Sequence, residues 1–104
     1  MTNVALSDPT RMRLEILFPD EDDQRRATDI LVHECGSNLP SCGNATPASL
    51  ERLRFAALKL SRGDLQRLRD ATELAKVDWR DLLMAADFGG DVHAHERWMP
   101  QRPA

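Results

Sequence analysis

The stretch HECGSNLPSCGN, residues 33–44, sets His33, Cys35 and Cys42 within ten positions, and His93 and His95 complete the chain's cysteines and histidines. Four of these five side chains would satisfy a tetrahedral zinc ion, and the two thiols could instead act as a redox pair. The spacing argues against both. Zinc sites usually pair cysteines two to four residues apart, whereas six residues separate Cys35 from Cys42, and there is no C-x-x-C redox motif. On a helix, residues i and i+2 point about 200° apart, so His33 and Cys35 cannot both face one ion, and neither can His93 and His95. The expectation is therefore no metal and no cofactor, with Cys35 a small buried apolar residue, Cys42 a loop thiol and the histidines solvated.

Other chemistry is thinner. Asp20, Glu21, Asp22 and Asp23 could attract a cation or a basic partner, but four acids in a first helical turn already suit the helix dipole. SRGD lacks the lysine and glycine spacing of a phosphate loop, and no Ser, Cys or Lys nucleophile sits in a recognisable motif. Three closely joined helices between residues 47 and 88 allow a helix-turn-helix DNA reader, yet Asp64, Asp70 and Glu73 are mixed among Arg67, Arg69 and Lys76. The net charge is −3. Residues 1–46 carry four Arg against eight acids and residues 47–104 carry ten Lys and Arg against nine, giving −4 and +1. Neither half has the basic excess that nucleic acid demands.

The positioning elements read as helices. SDPTRMRLEILF is a helix capped by Asp8 with Met12 and Ile16 on one face, or else a strand presenting Leu14, Ile16 and Phe18; the helix is preferred, since a lone strand needs a partner. An acidic helix spans 19–35, with Ala27, Ile30, Leu31 and Cys35 inward, and a loop covers 36–46. Thr46 and Pro47 then open a helix with Leu50, Leu53, Ala57 and Leu60 on one stripe, widened by Phe55 and Leu58 and stopped by Gly63. Asp64 caps the next, with Leu65, Leu68, Thr72 and Ala75 in line. Asp78 caps a third with Trp79, Leu82, Leu83 and Ala86 toward the core, closed by Phe88 before Gly89 and Gly90, and Asp91 caps a last short helix. Trp98 must dock back on the bundle or join an interface, which makes it the candidate interaction residue.

These elements make an all-α fold, with at most one short N-terminal strand or hairpin: a small single-domain bundle of about five helices over 1–104, its ends 1–7 and 100–104 loose. A chain of 104 residues can hold one modest core. No apolar run approaches the ~20 residues of a membrane span, MTNVALS lacks the pattern of a signal peptide, and two cysteines make no disulfide framework, so a cytoplasmic protein is expected.

The segments LKLSRGDL and DWRDLLMAADFG, with LFPDED and ECGSNLP upstream, resemble a family of small uncharacterised bacterial proteins over most of the chain beyond about residue 14. The resemblance implies a bacterial, soluble protein and carries over no catalytic residue. The expected function is a non-catalytic accessory module acting through a protein partner or self-association. The alternatives are a zinc- or thiol-dependent protein centred on Cys35 and Cys42, and a helical DNA-binding regulator.

Overall fold

The computed structural model describes residues 6–35, 47–91 and 93–100. Its order is α1 (Asp8–Leu17), α2 (Glu21–Glu34), α3 (Pro47–Ser61), α4 (Leu65–Val77), α5 (Trp79–Ala85) and a 3-10 turn at Ala94–Arg97. The fold is all-α, with no strand among the described residues, so the helix reading of the N-terminal segment holds.

Local capping explains most of these boundaries. Asp20 accepts from the Asp23 amide, Asp64 from the amides of Gln66 and Arg67, and Asp78 from that of Arg80, each satisfying donors that the first turn leaves unpaired. At the start of α1 the cap is Ser7 and not the expected Asp8, which lies one position inside. Between α3 and α4, Arg62 and Gly63 take φ of 51° and 79°, a left-handed pair that reverses the chain at once. The end of α5 departs from expectation. The helix stops at Ala85, and the left-handed residue is Asp87, φ 64°, not a glycine. The Phe88 amide then bonds back to the Leu83 carbonyl, which turns the Phe88 ring into the core.

Helix α3 is the centre of the bundle and packs against α1, α4, α5 and the 3-10 turn, while α2 packs against α1 and α4. Six consecutive residues, Leu53 to Leu58, are buried, so α3 is covered on nearly every side and no single stripe describes it. Phe55 and Leu58 of α3 share one core cluster with Leu14, Leu31, Leu68, Leu82 and Phe88 from the surrounding elements.

Two expectations about faces are overturned. Trp79, placed in the core by its position at the head of an apolar stripe, is 37% exposed, because Leu82 and Leu83 one turn later fill the contact. On α1 the buried residues are Thr10, Arg13, Leu14 and Leu17, a regular i, i+3, i+4, i+7 row, while Met12 is 44% exposed and Ile16 only half-buried. Leu6, Ser7 and Pro100, assigned to loose ends, belong to the packed structure: Leu6 and Pro100 are buried and Ser7 bonds to Glu51. The remaining residues of both ends and the loop 36–46 lie outside the described residues.

Candidate functional site

Four of the five suspected metal or thiol residues, His33, Cys35, His93 and His95, fall among the described residues, and these four are not gathered at one site. Cys35 is the C-cap of α2 and fully buried, and its carbonyl accepts from Arg54 Nε at 2.9 Å. His33, two positions earlier, is exposed and borders a groove between α2 and α4 with Asp29, Glu34, Arg69 and Thr72. His93 is likewise exposed, beside Glu96, whereas His95 is buried. Both pairs thus split between surface and core, although Cys35 caps α2 beyond its last helical residue, and His93 caps and His95 lies in a 3-10 turn rather than an α-helix. Cys42 lies outside the described residues. Among the described residues no three His, Cys, Asp or Glu side chains are placed to hold an ion.

His95 corrects the expectation of a solvated ring. It is 3% exposed and stands edge-on to Phe55 at 5.2 Å and to Phe88 at 6.3 Å between ring centres. Trp98 packs on the same two rings at 6.1 and 6.3 Å. The C-terminal segment is therefore folded back, and Trp98 is half-buried against the core. Asp91 sets this up: its carboxylate accepts from Arg97 at 2.7 Å and from the His93 amide at 2.8 Å, which together, the Arg97 bond foremost, hold its protonation below the usual carboxylate range.

Beneath these rings lies a polar cluster that a search for apolar periodicity misses. Arg13, 6% exposed, donates to the Trp98 carbonyl at 3.1 Å and the Pro9 carbonyl at 2.9 Å, and its guanidinium lies 4.2 Å over the Phe55 ring. Burial lowers its proton affinity, and the Glu51 charge works in the opposite direction. Glu51 on α3 accepts from Ser7 Oγ at 2.7 Å, and its other oxygen stands 3.9 Å from His95 Nε2. Ser7 has one proton and gives it to Glu51, so the 2.8 Å contact between Ser7 and Thr10 must be donated by Thr10. Arg52 donates to the Phe88 carbonyl, tying the end of α5 to α3. The available clue was the row Thr10, Arg13, Leu14, Leu17: two leucines at the right spacing carry an arginine inward with them.

The order Ser7, Glu51, His95 is the wrong one for nucleophile activation. The carboxylate lies between hydroxyl and imidazole, so the imidazole is not placed to take the serine proton. What the arrangement does is join α1, α3 and the C-terminal segment through charge-assisted bonds. The outer face of α1 is different. There Met12, Ile16 and Pro19, with Glu15 and Gln24, line a groove of about 340 Å³.

No family model, curated protein or solved structure matches the chain.

Proposed function

We propose that the protein works by protein–protein contact, as a non-catalytic accessory module, with the outer face of α1 and the start of α2 as its docking face. One observation carries this reading. Helix α1 turns Thr10 and Arg13 into the core and leaves Met12 exposed and Ile16 half-buried at a surface groove, an inversion that burial within the chain does not reward. Clustered apolar side chains with a polar rim are the usual mark of a partner surface. Glu15 and Gln24 supply such a rim. A cytoplasmic setting is supported by the two-cysteine composition. No helix among the described residues is long and apolar enough to cross a membrane.

The test is a photo-reactive residue placed at Met12 or Ile16 in the source cells, with the same residue at exposed Gln66 on α4 as reference. A discrete adduct from the α1 positions, missing from the reference and lost on adding Met12→Lys to the Ile16 probe, is the expected result. Adducts indifferent to position would contradict it.

A further inference from the structure

Residues 93–100 cross α3 as a strap, and the seat of that strap is an imidazole. His95 Nδ1 is buried and meets no hydrogen-bond partner among the described residues, while Nε2 faces Glu51 at 3.9 Å, beyond hydrogen-bonding distance. A neutral ring tolerates this, since it has one lone pair to leave idle; a protonated ring has two N–H donors and must place one against nothing. Besides His95 the strap places Pro100, Ala94 and Trp98 inward, none of which carries a charge. Trp98 contributes its ring and one carbonyl, the latter held by Arg13, while the Asp91 and Arg97 bonds that shape the turn lie at the surface.

We propose that residues 93–100 form an acid-released strap: protonation of the buried His95 ring drives it from its seat and uncovers the faces of Phe55 and Phe88. The charges around the ring are mixed. Glu51 on α3 and Glu96 on the strap favour the protonated form, whereas Arg52 on α3 and His93 on the strap oppose it, and Arg13 of α1 lies over the neighbouring Phe55 ring. Desolvation is the largest influence, and it holds the ring's proton affinity below its ordinary value of 6.5. A released imidazole returns to that ordinary value, so the seated strap is stabilised above it. The stabilisation is lost as pH falls from there through the depressed value of the seated ring. At pH 5 a free imidazole favours its protonated form by roughly 30-fold, which sets the ceiling on how far the equilibrium can move.

Amide hydrogen exchange on the full chain tests this, each rate being divided by its intrinsic value at that pH. Between pH 7.5 and pH 5 the amides of Ala94, Glu96 and Trp98 should lose protection relative to Leu58 in α3, by several-fold and at most roughly 30-fold. His95→Phe, which keeps a ring without a base, should abolish the loss. Unchanged protection in the wild type overturns the proposal, and so does an equal loss in His95→Phe. If that variant does not fold, the wild-type His95 ring followed by NMR decides: titration well below 6.5 supports the strap, and titration at or above 6.5 refutes it.

Discussion

Replacing Arg13 by methionine tests whether the buried guanidinium fastens the C-terminal segment or is merely tolerated. Methionine fills a similar volume and keeps the stem packed, so the change isolates the charged head. Three contacts disappear: the bond to the Trp98 carbonyl, the bond to the Pro9 carbonyl and the stacking over Phe55. The first is the most valuable, about 1.5–2 kcal/mol for a charged donor. Stacking adds about 1 kcal/mol. The Pro9 carbonyl lies one turn back on the same helix, where the backbone also serves it, so its share is about 0.5 kcal/mol. Against this stands the burial cost of the charge, the same desolvation that lowers the guanidinium's proton affinity, which is recovered when the charge leaves and makes the net loss smaller than the gross sum of about 3 kcal/mol. A net loss of about 1–2 kcal/mol is expected, or roughly 4–16 °C in melting temperature for a domain of this size. Thermal unfolding followed by circular dichroism reads the melting temperature. Fluorescence in a Trp79→Phe background reads Trp98, whose emission should shift to the red. A melting temperature unchanged within about 3 °C, or raised, would mean that the bonds to Trp98 and Phe55 do not outweigh burial of the charge.

Other perturbations separate the remaining parts of the account. Leu68→Ala opens a cavity at a fully buried position facing α3, and denaturant unfolding should show a loss of about 2–5 kcal/mol. Asp87→Gly relieves a left-handed non-glycine residue and should raise the melting temperature by a few degrees, since that strain is about 1 kcal/mol. Asp78 has its protonation held low, first by the Arg80 amide and then by the Arg80 side chain, so its contribution is present above the ordinary carboxylate range and lost as pH falls through the depressed value. Asp78→Ala should lower stability at pH 7 and flatten the acid limb of the pH–stability curve. Met12→Lys changes an exposed side chain and should leave stability within about 0.5 kcal/mol, whatever it does to partner capture.

How far the sequence could be read follows from what each signal depends on. Caps and stops are local chemistry: Asp64, Asp78 and Gly63 act through their own backbone neighbours, so the starts of α4 and α5 and the end of α3 were visible in one dimension, whereas α2, expected to open at Pro19, is capped by Asp20 and starts at Glu21. Faces are set by competition among neighbours. Apolarity alone favoured Met12 with Ile16 on α1, but Leu14 and Leu17 dock against α3 and rotate Arg13 inward, where the strap's carbonyl and the Phe55 ring receive it. The stripe assigned to α3 was too narrow because that helix is surrounded. That exposed His33 parts from buried Cys35, and exposed His93 from buried His95, was legible, since residues two apart seldom share a face. The burial of His95 was not, since it depends on Phe55 and Phe88, brought together from α3 and the segment after α5. The Arg13–Glu51–His95 cluster likewise joins residues far apart in the chain, and no spacing rule reaches across that separation.

The docking face on α1 is the central claim, and position-resolved photo-crosslinking at Met12 and Ile16 against Gln66 tests it most directly. The account predicts one discrete partner band from both α1 positions, absent from the α4 reference and removed when Met12→Lys joins the Ile16 probe. The same band from all three positions, or from Gln66 alone, would contradict it.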